Sequence, residues 1–360
     1  MTRPCQAHLD LSALRHNLAL ARELAPRSRL MAVVKANAYG HGAVTMAREL
    51  APRVDALAVA CLEEALELRE SGIDCPILLL EGVFSPDEWA TAVRAGCWVT
   101  VDNSTQLQWL EQSRLPAPAS VWLKVDTGMH RLGVTPDDVP AMHARLMASG
   151  KLAGAPVLTT HFARADEPEQ TMTGEQLATL HRACDGLPGL RSAANSPAVL
   201  AWPDAHLDWV RPGYMLWGDS PFAGPHPQAD RLRPVMRLLS SVISLRDVAP
   251  GESVGYGATW RAERPSRIAT ITAGYGDGYP RTASNGTPVL VRGHRARLAG
   301  RVSMDMITVD VTDLPEVAIG DAVELWGQEL RVGEVARHSG TIGYELLTRM
   351  PSRPPRVVVA

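Results

Sequence analysis

The chain has 360 residues, 46% of them apolar and 21% charged, the balance of a globular protein long enough for two domains with substantial cores. Its 36 basic and 39 acidic side chains leave a net charge of -3 and are well mixed, which argues against nucleic acid or a charged membrane surface as the partner. No apolar run nears the roughly 18 residues of a membrane span and residues 1–6 lack the apolar core of a signal peptide, so the expected location is the cytoplasm.

In chain order, residues 11–24 have the spacing of an amphipathic helix. The sequence then repeats one theme eight times: an apolar strand, a polar or glycine break, and a helical pattern. The strands begin at Met31, Ala56, Ile77, Trp98, Val121, Val157, Arg191 and Trp209, with helical stretches such as 62–69, 89–95 and 142–148 between them. Eight βα units with short connections predict an α/β fold of the (β/α)₈ TIM-like barrel type. An open doubly wound sheet is the alternative. Beyond about residue 230 the texture changes to β-branched or alternating runs at 267–272, 287–292, 306–311 and 322–326, separated by turn signals such as Ser284-Asn285-Gly286. The expectation is a barrel over residues 1–230 and a mainly antiparallel β domain over 231–360, linked near 222–227. The first few residues are expected to pair with the β domain, and the tail from Arg353 to supply a last strand.

The first βα unit is the most telling. Residues 31–34 read as a buried strand that delivers Lys35 into a loop, and Gly40-His41-Gly42 precedes a helical pattern at 43–50. Barrel enzymes place their active sites at the C-terminal ends of the strands. That rule selects Lys35 and Tyr39 after the first strand, Lys124 through Arg131 around the fifth, His161 after the sixth, Asn195 and Ser196 after the seventh, and Arg211, Gly213 and Tyr214 after the eighth. The selection holds no carboxylate cluster fit for a metal, and the five scattered cysteines form no metal-binding pair. Ser196 before Pro197 reads as a helix cap, and Gly213 permits close backbone approach, so the two suggest a phosphate cradle. A phosphate site facing a lysine amine suggests pyridoxal 5′-phosphate held as an imine.

These segments, together with Lys124-Val-Asp-Thr-Gly-Met-His-Arg131, Val254-Gly-Tyr256-Gly and Gly300-Arg-Val-Ser-Met304-Asp305, resemble the alanine racemase family over nearly the whole chain. The resemblance implies a pyridoxal-phosphate enzyme that interconverts L- and D-alanine. It leaves open whether D-alanine is supplied to cell wall or degraded. It implies a head-to-tail homodimer with shared active sites, in which Tyr256 and Met304 serve the partner's cofactor site.

Racemisation requires proton carriers on both faces of the bound amino acid. Lys35 and Tyr256 are the implied pair. An unperturbed tyrosine pKa near ~10 makes Tyr256 a poor base without nearby stabilisation of its phenolate. Arg211, facing the pyridine nitrogen, disfavours a second positive charge there and so mutes the electron sink. Arg131 is implied to face the substrate carboxylate or the cofactor's phenolic oxygen, and Met304 to offer a backbone N–H to that carboxylate. Lys124 is implied to be carbamylated, the alternative being a neutral or ion-paired amine. His161 is implied to lie near the ring, with Tyr39, Asn195, Ser196, Gly213, Tyr214 and Tyr344 toward the phosphate. Tyr214 and Trp217 depart from the family pattern, which more often has an aliphatic residue and a tyrosine, so packing on that side is expected to differ. A decarboxylase on the same plan would carry an acid at the ring nitrogen, and a pyridoxal-phosphate carrier would leave residues 230–360 unexplained.

Overall fold

Strands β2 (Arg29–Val33), β3 (Ala56–Val59), β4 (Ile77–Leu79), β5 (Cys97–Val101), β6 (Val121–Lys124), β7 (Val157–Thr159), β8 (Arg191–Ser192) and β9 (Trp209–Val210) pair in parallel in chain order. They follow β1 (Gln6–Asp10). Closure of β2 on β9, with Arg29 opposite Trp209 and Leu30 opposite Val210, makes this a barrel and removes the open-sheet alternative. The strands are covered on both faces, which is why they read as near-continuous apolar runs. The computed structural model describes residues 3–359.

Period-two alternation stacks the barrel interior in layers. Trp98, Trp122 and Trp209 meet in one layer, with ring centroids 5.6–6.2 Å apart. Arg29 lies over Trp209 from below at 5.5 Å. Two residues further along the same strand directions come Thr100, Lys124 and Arg211, which line the cavity above. The tryptophans are thus the floor of the site. The crossover helices carry their own start signals: Asp10 accepts from Ala13 N at 2.9 Å and Asn103 from Gln106 N at 2.9 Å.

The second layer is an eight-stranded, mainly antiparallel sheet. It contains β10 (Met236–Val248), β13 (Ser266–Ile271), β14 (Pro288–Val291), β15 (His294–Leu298), β16 (Ile307–Asp310), β17 (Ala322–Trp326) and β18 (Arg356–Val359), while β11 (Ser253–Val254) and β12 (Trp260–Arg261) form a small separate ladder. The segment before the barrel, β1, pairs antiparallel with β10 and parallel with β18. Sequence periodicity did not mark β10 or β15. Ser240 takes an inward position of β10, and His294, Arg295 and Arg297 leave only Ala296 and Leu298 of β15 buried. No helix of the described residues is long and apolar enough to cross a membrane.

Candidate active site

At the C-terminal mouth of the barrel lies a cavity of about 790 Å³, of the size that takes a cofactor with a small substrate. Lys35 enters it from β2. Ala36, Asn37, Ala38 and Tyr39 then all adopt positive φ, between 51° and 55°, forming a left-handed turn where a strand-to-helix loop was expected. Such a conformation costs non-glycine residues about 1–2 kcal/mol each, so neighbouring groups must hold it. Glu64 does so by accepting Ala36 N at 2.7 Å and Ala60 N at 2.8 Å. Asn37 Oδ1 accepts Ala43 N at 2.7 Å. From the second domain, Arg356 donates to Gly40 O at 2.8 Å. The helix Ala43–Leu50 follows as expected. The turn buries Tyr39 and aims Lys35 into the cavity, where burial lowers its pKa; Glu81 opposes that shift and Arg131 and Glu64 act more weakly. A depressed lysine is an available nucleophile and base.

One wall is cationic. Arg211 is buried, and its terminal nitrogens donate to Ser192 Oγ at 2.5 Å, Thr159 Oγ1 at 3.1 Å, Thr160 O at 2.6 Å and Ala193 O at 3.2 Å. Those contacts occupy both terminal amino groups and leave the Nε–H as the donor not engaged among the described residues. Burial pushes its pKa down to about 10, still cationic at neutral pH, and no carboxylate among the described residues pairs with it. Lys124 lines the same wall. Burial first, then Arg211 and Arg131, drive its pKa well below the ordinary lysine value. The imidazole of His161 is kept neutral by burial and by the same cations. Arg131 follows a loop organised by Asp126, whose Oδ1 accepts the N–H groups of Gly128, Met129 and His130, each at 3.0 Å.

The opposite side is a cradle of phenols and backbone. A Cβ on Gly213 would lie 2.7 Å from the Tyr39 hydroxyl and 3.3 Å from Val33 Cβ, so an added side chain would force Tyr39 to move. Ser196 is not the helix cap. Asn195 is, with its Oδ1 accepting Ala198 N at 3.3 Å. The two roles separate because Ser196 Oγ turns the other way, to accept Gly213 N at 2.9 Å and Met215 N at 3.2 Å. That choice leaves the Tyr214 N–H between them without a partner among the described residues. Tyr344 arrives from the helix Gly343–Thr348 of the second domain and stacks on Tyr214, with centroids 3.5 Å apart. Burial raises the pKa values of Tyr39, Tyr214 and Tyr344, so these phenols remain protonated donors. The departures Tyr214 and Trp217 are both absorbed by packing: the Tyr214 hydroxyl donates to Asp219 at 2.6 Å, and Trp217 stacks on His41 at 4.7 Å.

Lys35, Tyr39, Lys124, Arg131, His161, Asn195, Ser196, Arg211, Gly213, Tyr214 and Tyr344 therefore line one cavity. Tyr256 and Met304 do not. They lie on the second domain, 68% and 55% exposed. Sequence reasoning missed Glu64, Glu81, Ser192, Thr159 and Thr160; the last three left a trace, as hydroxyls at the ends of otherwise apolar strands.

A closed parallel barrel that holds a lysine amine of depressed pKa between a cationic wall and an anion cradle is the framework of an imine-forming enzyme. Comparison with known proteins makes the class specific. Residues 9–221 match the alanine racemase N-terminal domain and residues 235–358 the alanine racemase C-terminal domain. The chain is 54% identical over 355 residues to a catabolic alanine racemase of Pseudomonas aeruginosa, covering 99% of each chain, and 51% identical over 354 residues to an alanine racemase of Pseudomonas taetrolens, covering 98% of each. The crystal structure of the biosynthetic alanine racemase of Pseudomonas aeruginosa superposes with a TM-score of 0.97 at 51% identity over the full length of both chains; the structure of an alanine racemase of Acinetobacter baumannii gives 0.92 at 40% identity, covering 99% of this chain and all of the other. The chain belongs to the alanine racemase family of pyridoxal-phosphate-dependent isomerases.

Proposed function

We propose that the protein racemises alanine by two-base proton transfer, with Lys35 on one face of the bound amino acid and Tyr256 of the partner subunit on the other. The residues present fit pyridoxal phosphate. A Cβ on Gly213 would press on the Tyr39 hydroxyl, the Tyr214 N–H has no acceptor among the described residues, and the amine of Lys35 faces the same cavity. When bound, the cofactor supplies the electron sink that makes the α-hydrogen of an attached amino acid acidic.

The observation that carries the two-base reading is the separation of the chemistry between domains. Lys35 lies inside the cavity with a depressed pKa, while Tyr256 and Met304 stand exposed on a surface where a single chain has no use for them. A head-to-tail homodimer brings that surface over a neighbouring barrel. Tyr275 and Met306, also exposed, lie on the two turns joined by the bond from Tyr275 N–H to Ser303 O, beside Met304.

Within the site, Lys35 Nζ takes or returns the α-proton on its face, and the Tyr256 hydroxyl does the same on the other. The Tyr39, Ser196 and Tyr344 hydroxyls and the Tyr214 N–H would hold the phosphate, with Gly213, whose own N–H is bonded to Ser196 Oγ, leaving room for its close approach. Asn195 and His161 would border the ring, and Arg211 would donate to the ring nitrogen; as a permanent donor it keeps that nitrogen an acceptor and so weakens the ring as an electron sink. Arg131 and the Met304 N–H of the partner subunit receive the substrate carboxylate. Lys124, kept as a neutral amine by burial and then by Arg211 and Arg131, adds carbon dioxide with release of a proton, and the resulting carbamate anion orients Arg131.

Subunit mixing tests this reading. Lys35→Ala and Tyr256→Phe homodimers should each be severely impaired, and a mixed dimer should regain one intact site and exchange the α-hydrogen of alanine with solvent deuterium during racemisation. A mixture no more active than its parents would defeat the shared-site reading.

A further inference from the structure

The turn that carries Met304 is gripped from below by a buried carboxylate. Tyr275 N–H donates to Ser303 O at 3.0 Å and Gly276 N–H to Met304 O at 2.8 Å, so the 274–277 turn is laid directly along the 303–306 turn. The approach is close enough to demand glycine: a Cβ on Gly274 would be 2.3 Å from Ser303 O and 2.4 Å from Met304 O. At the end of the first turn, Asp277 is fully buried. Its carboxylate accepts from Arg3 at 2.5 and 2.7 Å and from Gly274 N at 2.9 Å, and it pairs with Arg353 Nε at 3.3 Å.

The two arginines then reach past Asp277 to the residue after Met304. Arg3 donates to Asp305 O at 3.1 Å and Arg353 to Asp305 Oδ1 at 2.5 Å. Their convergence follows from the sheet: Arg3 precedes β1 and Arg353 precedes β18, and these strands run parallel with Ala7 opposite Arg356. The carbonyls on both sides of the Met304 N–H are held by Tyr275 and Gly276 and the residue after it by the two arginines, while that N–H has no acceptor among the described residues.

We infer that Asp277 is a positioning residue, which acts through Arg3 and Arg353 to hold the Met304 N–H at the spacing the substrate carboxylate needs. This rests on the reading of Met304 as a contact to the partner's substrate. A buried carboxylate held by two guanidiniums makes a stiffer support than solvent-exposed loop contacts, and misplacement of a binding group by an ångström is enough to weaken transition-state contacts severely.

The test uses cofactor-loaded mixed dimers of one Lys35→Ala chain and one Tyr256→Phe chain. Their single intact site combines Lys35 of the Tyr256→Phe chain with Tyr256 and Met304 of the Lys35→Ala chain. Asp277→Asn placed in the Lys35→Ala chain should raise KM for alanine about tenfold, with kcat changed less than about twofold. The same change in the Tyr256→Phe chain should leave KM unaltered. Arg3→Gln, at a part-exposed side chain, should repeat the pattern more weakly and serves if Asp277→Asn folds poorly. Equal effects in either chain, or an unchanged KM in both, would overturn the inference, whereas an inactive Lys35→Ala with Tyr256→Phe mixture would overturn the shared site beneath it.

Discussion

The Tyr39 hydroxyl stands 2.7 Å from the point where a Cβ on Gly213 would lie, so the cradle is shaped by an absent methyl group. Gly213→Ala would set its methyl group against that hydroxyl and against Val33 Cβ, 3.3 Å away. Overpacking of this kind costs about 1–3 kcal/mol. If the strain falls on Tyr39, pyridoxal phosphate should bind roughly 10- to 100-fold more weakly, read by fluorescence titration of the apoprotein. Unchanged affinity would mean that Tyr39 and Gly213 do not hold the phosphate.

What the sequence disclosed about this cradle, and what it hid, follow from range. Lys35 and Arg211 were legible because each ends a strand, and strand ends in a closed barrel all face one mouth. The left-handed turn after Lys35 was not legible. Its residues Ala36, Asn37 and Ala38 carry no glycine signal, and the groups that hold them, Glu64 and Arg356, arrive from other elements. Ser196 was misread as a cap because Ser-Pro carries a local signal, whereas the preference of its hydroxyl for Gly213 and Met215 is tertiary. In the β domain, β15 escaped because a strand with one buried face needs only two apolar residues.

Arg211 is held by four acceptors drawn from β7, β8 and the residues that follow them. Lysine has three donors on a flexible stem and cannot reproduce the planar fork. Arg211→Lys should leave at least one buried acceptor unpaired, at about 1–3 kcal/mol, and lower the urea midpoint of the apoprotein accordingly. A midpoint unchanged by the substitution would show that the guanidinium contacts contribute nothing to the barrel.

Asp126 tests the support of the substrate side. Three backbone N–H groups of residues 128–130 converge on one of its oxygens, and Arg131 is the next residue. Asp126→Ala should release the loop, raising KM for alanine about tenfold while leaving cofactor content intact. Loss of bound cofactor with unaltered KM would place the loop's role at the cofactor instead. Lys124→Ala should act in the same direction if its carbamate orients Arg131, and added bicarbonate should lower KM for the unsubstituted enzyme depleted of carbon dioxide but not for the variant.

His41 sets an acid limit on the lysine turn. Its Nδ1–H is shared between Ala38 O and Tyr39 O, each at 3.0 Å, whereas Nε2 is buried without a partner and the ring lies against Trp217. A proton on Nε2 would be an unpaired buried charge, and burial accordingly pushes the pKa down to about 4, the carbonyls opposing and Arg356 adding slightly. In the unfolded chain the imidazole titrates near ~6.5. Above that pH both states are neutral and His41 exerts no pH effect. As pH falls toward 4 the unfolded state takes up the proton that the folded state refuses, so stability declines, by up to about 3 kcal/mol at about 1.4 kcal/mol per pH unit. His161 contributes in the same sense, so the share of His41 is isolated by difference. His41→Gln should be less stable than the parent at pH 7, having lost the stacking on Trp217, and the gap between their urea midpoints should narrow on going to pH 4.5. Parallel midpoints across that range would mean that His41 does not restrain the turn by staying neutral.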